Sequence, residues 1–346
     1  MNNYKTLVLG TSHKTKGGVT SVINMHIQCD FWRTYHVRWI ETHIDKGAFW
    51  KLLFALKAFF QYISCIWFYD IVHFHIGELP SARRKFLFFI IAKLLRKKTV
   101  IHLHIGNQLD YLYTNWLYKI LFKKANSIIV LSYSIQRKVK DLFHVNEKVD
   151  VVYNSCPVVS EIEYTSSNHT LLFAGTLNAN KGYDILIRAF ANIATEFPEW
   201  KLVLAGSGEI EKAKELINSL QVSSQVILSG WIQGQQKELL FRQASVFCLA
   251  SYAEGFPMSI LDAWAYGLPV VTTPVGGLID VVDENKNALL FVPGDIQMLS
   301  KQLRNIFTSE DLRKKLSKES LHLAHTTFSM DQMNKKIEVL YEKLFA

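Results

Sequence analysis

The sequence has few cysteines, and none of them lie close together. Cys29, Cys65, Cys156 and Cys248 are the only four in 346 residues, and no two form a CxxC pair. This argues against a disulfide framework or a zinc ribbon and favours a reducing compartment. The first residues, MNNYKTLVLGTS, lack the basic flank and apolar core of a signal peptide and are expected to form a β-strand. We therefore expect a cytoplasmic protein, and its length favours two domains.

Long hydrophobic runs are also absent, since no stretch has the roughly 20 uninterrupted apolar residues of a membrane-spanning helix. Two shorter segments come near. Residues 58–69 are rich in aromatic side chains, and residues 83–98 carry three basic residues at each end of an apolar centre broken only by Lys93. Both segments fit helices packed on a sheet. One face of this region also fits an anionic membrane surface, where each basic residue contributes about 1 kcal/mol.

Charge is unevenly distributed along the chain. Residues 1–160 contain 22 Lys and Arg against 9 Asp and Glu, a net charge of +13, whereas the remainder has 17 against 21, a net charge of −4. The basic half is expected to face an anionic partner. Nucleic acid is not expected to be that partner, because the sequence has no recognisable nucleic-acid recognition module.

Short apolar runs alternate with helix-length segments along the whole chain. A polar stretch without periodicity, residues 160–169, separates two halves that repeat this pattern. Such alternation predicts βαβ units and parallel sheets. We expect an α/β fold of two Rossmann-like, doubly wound parallel-sheet domains facing a crevice at the carboxyl ends of their strands. The predicted strands are TLVLG, IVHFHI, TVIHLHI, SIIVLS, TLLFAG, WKLVLAG, QVILSG, SVFCLAS, PVVTTP and ALLFVPG.

The segment YAEGFPMSILDAWAYG, residues 252–267, follows one of these predicted strands. It carries two acids, Glu254 and Asp262, eight positions apart. Pro257 suits the first position of a helix, and Gly267 suits a left-handed exit from it. For an arbitrary helix, an acid pair with this spacing would be two solvated surface charges. The Gly-Phe-Pro turn and the apolar helix positions favour a functional site instead.

The backbone of this turn is predicted to bind an anion or sugar hydroxyls. Gly255 has no side chain to block a ligand, and the N–H groups of Phe256, Met258 and Ser259 would form a helix N-terminus. Asp262 can lean towards the same end, because helical side chains tilt that way. Carboxylates accept hydrogen bonds from vicinal diols. The expected ligand therefore combines phosphate with sugar hydroxyls, as a nucleotide sugar does.

Four segments together resemble the retaining, GT-B fold glycosyltransferases of family 4: EGFPMSILDAWAYGLPVVTTPVGG, LLFAGTLNANKGYDILIRAF, LVLAGSGE and KGGVTSVI. The resemblance covers nearly the whole chain and is most specific in the second half. It implies an acceptor-binding domain at residues 1–162 and a donor-binding domain at residues 163–328. A C-terminal helix, residues 329–346, would cross back onto the first domain; the alternative is a helix docked on its own domain.

The resemblance also implies roles for single residues. Glu254 would approach the donor sugar, and Asp262 would bind the ribose of the nucleotide. Lys181, in NANKG, and the glycine loop Gly17–Gly18 would bind the donor diphosphate. His104, in HLHIGN, would lie near the transferred sugar. Glu254, His104 and Lys181 are thus the expected catalytic residues, and the backbone from Gly255 through Phe256 and Pro257 to Met258 would orient the sugar ring.

The chain departs from the family pattern at the donor site. The second acid is Asp262 rather than a glutamate, and Thr176 replaces the arginine that precedes the lysine. These changes bring the diphosphate affinity into question. They keep open an alternative in which the chain is a weak or inactive, membrane-associated assembly partner.

Two HxH pairs lie on consecutive predicted strands, formed by His73 with His75 and by His102 with His104. Period 2 puts each pair on one face of its strand. Imidazoles cluster as metal ligands, but no carboxylate or thiolate accompanies these. We expect His104 alone to be functional, the others to pack in the sheet, and no metal to bind. The GSGEIE segment lacks the third glycine of a dinucleotide fingerprint, so NAD is not expected either.

The expected activity is that of a metal-independent, retaining hexosyltransferase that uses a UDP- or GDP-sugar donor and no cofactor. The acceptor would bind the basic first domain. A lipid-linked saccharide at the inner face of the cell membrane fits the charge and the segments at residues 58–98. This suggests a peripheral membrane protein of surface polysaccharide biosynthesis (capsule, O-antigen or exopolysaccharide). A soluble acceptor, such as a sugar phosphate, is the alternative.

Overall fold

The computed structural model describes residues 4–15, 17–27, 29–105, 109–160, 162–284 and 286–346. Lys16, Gly106 and Asn107, which belong to the motifs above, lie outside the described residues. The chain forms two compact units: Met1–Asn154 together with Met330–Ala346, called the first unit, and Ser155–Ser329, called the second unit. The division lies eight residues before the boundary expected after residue 162.

The first unit contains a parallel six-stranded sheet in the order β2-β1-β3-β4-β5-β6. The four apolar runs predicted here are β1, β3, β4 and β5. The two strands that were not predicted, β2 and β6, are short edge strands with polar residues, which is how edges avoid unwanted pairing. The strands are β1 Thr6–Gly10, β2 Arg38–Glu41, β3 Ile71–Ile76, β4 Lys98–Leu103, β5 Ser127–Val130 and β6 Val149–Val151.

Eight helices are described in the first unit. Local signals start some of them: the Asn115 side chain accepts a hydrogen bond from the Leu117 N–H at the start of α6, and Ser132 does the same for Ile135 at the start of α7. The helices are α1 Gly18–Ile27, α2 Asp30–Thr34, α3 Ala48–Cys65, α4 Leu79–Leu94, α5 Leu109–Thr114, α6 Trp116–Lys124, α7 Tyr133–Phe143 and the C-terminal α14 Met330–Lys343.

Helix α14 packs into a core cluster of the first unit. The residues it contributes recur at helical spacing, which is the stripe expected of a helix with one buried face. They meet apolar side chains from α2, from three sheet strands and from the segment after β6. The main members of the cluster are Phe31, Tyr35, Ile71, Val100, Ile129, Val152, Met333, Ile337, Leu340, Tyr341 and Leu344.

The second unit contains another parallel six-stranded sheet, in the order β12-β11-β10-β7-β8-β9. Counted within the unit, this is the strand order 3-2-1-4-5-6 of dinucleotide-binding folds, and it reverses direction between β7 and β10. All six apolar runs predicted in this half are strands: β7 Thr170–Ala174, β8 Lys201–Ala205, β9 Val226–Gly230, β10 Val246–Leu249, β11 Val270–Thr272 and β12 Leu289–Leu290.

Helices alternate with these strands, so the predicted fold class of two parallel-sheet α/β units is confirmed. Trp264 of α11 and Trp200, just before β8, are fully buried in the second unit. The helices are α8 Tyr183–Ala191, α9 Ile210–Ser219, α10 Gly234–Gln243, α11 Met258–Ala265, α12 Ile296–Thr308 and α13 Glu310–His325.

Candidate functional site

Lys181 and Glu254 meet in the second unit, in the loops that follow β7 and β10. Lys181 Nζ donates a hydrogen bond to Glu254 Oε1 at 2.5 Å, and Ser251 Oγ donates to the same oxygen at 2.7 Å. The Glu254 side chain is 10% exposed and that of Lys181 is 23% exposed, so the pair is sheltered but accessible. In open parallel sheets, ligands bind where the strand order reverses, and this pair lies at that point.

Two asparagines of the NANKG segment hold the loop after β7 in place. Asn178 Oδ1 accepts a hydrogen bond from the Lys181 N–H at 3.0 Å, which fixes the backbone of the lysine. The carbonyl of Asn180 accepts from the Tyr252 N–H at 2.8 Å, and its Nδ2 donates to the Ala253 carbonyl at 2.9 Å. The loops that carry Lys181 and Glu254 are therefore hydrogen-bonded to each other.

Glycine allows close approach to the loop after β10 at two positions, one in the loop after β7 and one in the loop after β11. A Cβ at Gly182 would lie 2.2 Å from the Ala250 carbonyl oxygen, and Gly182 has a φ of +62°. A Cβ at Gly276 would lie 2.1 Å from the Glu254 carbonyl oxygen, with a φ of +58°. Both positions exclude any side chain, because the obstacle is backbone and the conformation is left-handed.

Helix α11 begins directly after the Glu254 turn. Pro257 is its N-cap, with φ −73° and ψ 117°, so the prediction that it occupies the first helical position is wrong by one residue; Met258 occupies that position. Gly267 ends the helix region with a φ of +64°, as predicted. The ring of Phe256 is buried 5.3 Å from that of Phe328, so it belongs to the core of the unit.

Asp262 has a cationic partner that sequence analysis missed. Lys237 Nζ, from α10, donates to Asp262 Oδ1 at 2.6 Å. Burial raises the pKa of the Asp262 carboxyl, and the Lys237 ammonium partly offsets this effect. Lys237 lies in GQQKELLFRQ, where no motif or spacing connects it to the acid. Thr176, at the position of the missing arginine, is exposed.

Gly17 and Gly18 lie in the first unit, in the connection from β1 to α1. Gly17 has a φ of +140°, which favours glycine, and α1 begins at Gly18. The preceding loop is tied to Glu41 at the end of β2: Ser12 Oγ and the His13 N–H each donate to Glu41 Oε1 at 2.9 Å. Burial alone would raise the pKa of Glu41, but the hydrogen bonds from His13 and Ser12 lower it.

The four histidines of the HxH pairs lie together in the first unit. His75 Nδ1 is 2.7 Å from His104 Nε2, His73 Nε2 is 3.3 Å from His102 Nδ1, and His73 Nδ1 is 2.7 Å from the Tyr341 hydroxyl. Burial lowers the pKa of His73 and His104 to about 3. Ring nitrogens of His73, His75 and His102 lie within 4.8 Å of one another, a spacing that a metal ion could use.

Helix α3 has apolar side chains on two opposite faces. Ala58, Tyr62 and Cys65 are buried against the unit, where the Tyr62 hydroxyl donates to the Phe88 carbonyl at 2.8 Å. Large apolar side chains on the opposite face, and in the turn that follows, are 41–71% exposed: Phe49, Trp50, Leu52, Leu53, Leu56, Phe60, Trp67 and Phe68. We call these eight residues the α3 face.

Among the residues described, Ala48–Phe68 is the one helix whose length and composition could cross a membrane, with a mean hydropathy of 1.3. The sequence analysis looked for about 20 uninterrupted apolar residues and so did not predict this segment as a membrane-spanning helix. Lys51 and Lys57 interrupt the apolar run, but the segment is apolar on average. Since only 22% of it is buried, it is not an ordinary core helix.

Parts of the chain are similar to known proteins. Residues 162–322 match the family glycosyl transferases group 1. Mannosylfructose-phosphate synthase of Agrobacterium fabrum is 32% identical over 181 residues, which are 50% of this chain and 40% of that protein. N-acetyl-alpha-D-glucosaminyl L-malate synthase of Bacillus anthracis is 25% identical over 291 residues, 79% of this chain and 74% of that protein. The chain spans 40–59% of the length of three curated relatives that it matches.

The fold of the chain is also similar to solved structures. The structure of Anabaena Alr3699/HepE in complex with UDP has a TM-score of 0.77 and covers 98% of this chain and 100% of its own, at 18% identity. At that identity the likeness shows the fold. The predicted GT-B fold is confirmed, and residues 162–322 of this GT-B chain match the glycosyl transferases of group 1.

Proposed function

We propose that this chain is a retaining glycosyltransferase that moves a sugar from a UDP- or GDP-sugar to a hydroxyl acceptor. The observation that carries the proposal is the Lys181–Glu254 pair with its Ser251 hydrogen bond, at the point where the strand order of the second unit reverses. The pair lies within residues 162–322, the region that matches glycosyl transferases. Retention of configuration is inferred from the resemblance to family 4.

The two charges of the pair suit the two parts of a nucleotide sugar. In the proposed reaction, Lys181 turns from Glu254 to an oxygen of the donor diphosphate and stabilises the charge that develops as the diphosphate leaves. The N-terminus of α11 and the turn at Gly17–Gly18 add backbone N–H groups, which favour anions. Glu254 then accepts hydrogen bonds from the sugar hydroxyls. These donors allow the reaction to run without a metal or a cofactor.

Two further residues complete the proposed donor site. Asp262 binds the ribose, with Lys237 beside it, and His104 of the first unit contacts the transferred sugar. The solved complex of Anabaena Alr3699/HepE contains UDP, which supports a uridine nucleotide as the first donor to test.

The acceptor is proposed to be a lipid-linked saccharide, and the protein to bind the inner face of the cell membrane through its first unit. A broad apolar helix face is normally buried, but the α3 face has no cover among the described residues. Lys46 precedes it, Lys51 and Lys57 lie within the same helical segment, and residues 1–160 carry a net charge of +13. An anionic bilayer would cover the apolar side chains and attract the basic ones. Such an acceptor fits surface polysaccharide biosynthesis.

The donor site is tested by thermal unfolding with a panel of nucleoside diphosphates and nucleotide sugars, without added metal. A ligand at 100 times its Kd should stabilise the protein by about 2.7 kcal/mol. We expect one nucleotide to raise the Tm, Lys181→Ala to abolish this shift, and Glu254→Ala to lose only the increment due to the sugar. Lys212→Ala is the matched control, because Lys212 pairs with Glu209 at the surface of the same unit.

Turnover distinguishes the enzyme from the inactive assembly partner. We expect release of UDP or GDP when the donor is mixed with membrane lipid extracts, and an α-linked product from an α-linked donor by NMR. A folded protein that binds no nucleotide in the panel would favour the assembly partner. Transfer to sugar phosphates but not to lipid extracts would favour a soluble acceptor.

A further inference from the structure

Four imidazole rings form a stacked array at the carboxyl end of the sheet in the first unit. His73 and His75 of β3 lie beside His102 of β4 and His104, which directly follows it, and neighbouring ring centroids are 4.3–5.4 Å apart. The strands are in register, with His75 opposite His102. On this face the stripe of core residues changes from apolar side chains to imidazoles towards the strand ends.

Buried imidazoles at these positions require partners, because an unpaired polar group in the interior is costly. The array provides two ring-to-ring hydrogen bonds: His73 to His102, and His75 to His104. His102 Nε2 is buried and has no hydrogen-bond partner among the residues described. A sheet core of valine and isoleucine would avoid this cost, so stability alone does not account for the array.

The rings are neutral at physiological pH, because burial lowers the pKa of all four. A neutral imidazole has one nitrogen that donates and one that accepts. The bond between His75 Nδ1 and His104 Nε2 therefore couples the two rings: if one nitrogen carries the proton, the other must accept it. The two tautomers are thus linked: when His75 Nδ1 donates, His104 Nε2 accepts and the remaining nitrogen of His104, Nδ1, carries the proton.

We propose that His75 is a positioning residue for His104, holding its ring in one tautomer and one orientation for contact with the transferred sugar. The inference rests on the proposed function, in which His104 makes that contact. At 2.7 Å, the bond to His75 is the one hydrogen bond that the structure describes for the His104 ring. In the described parts of the chain, no group is hydrogen-bonded to Nδ1 of His104, and this is the nitrogen that we propose contacts the sugar.

His73 supplies a matched control. It lies two residues before His75 on the same face of β3, both side chains are buried, and both lose a ring-to-ring hydrogen bond when replaced. His73 pairs with His102 and Tyr341 rather than with His104. Replacing His73 therefore removes a ring that stacks on His75 but leaves the hydrogen bond between His75 and His104 in place. His75→Asn is the conservative variant, since an amide can replace one ring nitrogen.

The test measures kcat and the donor KM of His75→Leu, His75→Asn, His73→Leu and His104→Ala, and records ring ¹⁵N shifts of histidine-labelled protein. Loss of orientation at a contact to the reacting sugar costs about 10- to 100-fold, so His75→Leu should lower kcat by that factor with little change in KM. His104 should change from one tautomer to a mixture. His75→Asn should recover part of kcat, and His73→Leu should keep both readouts.

The double variant His75→Leu/His104→Ala should be no slower than His104→Ala, because His75 acts through His104. Equal kcat values for His75→Leu and His73→Leu, or independent effects in the double variant, would overturn the inference. A single His104 tautomer in His75→Leu would do the same. If His75→Leu does not fold, the wild-type spectrum decides, since a tautomer mixture at His104 there contradicts the proposal. Zinc retained through dialysis against EDTA would also overturn it, because the metal would occupy these ring nitrogens.

The same variants distinguish a failure of the proposed sugar contact of His104 from a failure of the positioning role of His75. If His104→Ala keeps the wild-type kcat, the proposed sugar contact of His104 is wrong, whatever His75 does. If His104→Ala is slow and His75→Leu is not, the sugar contact stands and the positioning role fails.

Discussion

Lys237 and Asp262 form a salt bridge in the second unit, with Nζ 2.6 Å from Oδ1 and the carboxylate side chain only 14% exposed. Because burial raises the pKa of Asp262, the ionised carboxylate weakens folding at neutral pH, and Lys237 offsets part of that cost. Lys237→Ala should therefore lower the unfolding free energy at pH 7 by about 1–2 kcal/mol, a figure reduced for the partial exposure of the lysine. Urea unfolding measures it. Adding Asp262→Asn should restore most of the loss, and equal stability of Lys237→Ala and wild type would contradict the expectation.

The same acid should govern recognition of the ribose. If Asp262 accepts hydrogen bonds from the ribose diol, wild type should bind UDP more tightly than 2′-deoxy-UDP, by about 1.5–3 kcal/mol for one charge-assisted hydrogen bond. Asp262→Ala should lose this preference, whereas Glu254→Ala should keep it. Isothermal titration calorimetry with the two nucleotides measures the difference. If Asp262→Ala keeps the preference for UDP over 2′-deoxy-UDP, groups other than Asp262 bind the ribose diol.

Acid should destabilise the first unit through its buried histidines. Burial lowers the pKa of His26 to about 4 and of His73 and His104 to about 3, below the unfolded value of 6.5. Below pH 6.5 the unfolded chain therefore binds more protons than the folded one, and stability falls by about 1.4 kcal/mol per pH unit for each such histidine. Stability measured from pH 7.5 to 5 should show this slope. His73→Leu should reduce this slope by the contribution of one histidine, about 1.4 kcal/mol per pH unit. An unfolding free energy that does not change between pH 7.5 and 5 would rule the effect out.

Lys85 should respond to pH in the alkaline range. Its side chain is 1% exposed, its Nζ donates to Ser81 Oγ at 2.8 Å, and no acid pairs with it in the described parts of the chain. Burial, reinforced by Arg84, lowers the pKa of Lys85 to about 7. Since the unfolded lysine stays protonated to higher pH, stability should rise between pH 7 and 10.

Lys85→Met should remove this dependence and raise the unfolding free energy at pH 7 by about 1–4 kcal/mol, with the advantage shrinking at pH 9.5. Chemical unfolding at the two pH values measures both effects. A less stable Lys85→Met at pH 7 would show instead that the ammonium has a stabilising partner.

The α3 face should bind anionic bilayers. In co-sedimentation, wild type should bind vesicles containing phosphatidylglycerol and bind phosphatidylcholine vesicles weakly. Burying one Leu or Phe side chain contributes about 1.5–3 kcal/mol, so Leu52→Glu with Phe60→Glu should reduce binding by at least about tenfold. Leu239→Glu is the matched control, because Leu239 is equally exposed but lies on α10 of the second unit. If wild type is a dimer and Leu52→Glu is a monomer that still binds vesicles, the α3 face binds a second copy of the chain and not the membrane.

The sequence predicted those features that depend on local pattern. Ten of the twelve strands lie where apolar runs indicated, because a strand buried on both faces is continuously apolar. β2 and β6 were not predicted, because they are short edge strands with polar residues. Lys181 and Glu254, which the sequence predicted as site residues from their loop motifs, lie in contact in the structure. Lys237, Ser251 and the coupling of His75 to His104 were not, because they depend on side chains that only the folded chain brings together.

The placement of α14 affects the order in which the two units can finish folding during synthesis. The second unit is one continuous stretch, Ser155–Ser329, whereas the core of the first unit needs Met333, Ile337 and Tyr341 from the last residues of the chain. On a ribosome, the second unit can therefore finish folding before the first, although the first is translated earlier. Until α14 emerges, the face of β3 that carries His73 remains uncovered. A nascent chain stalled shortly before residue 330 would be recognised by chaperones through this face.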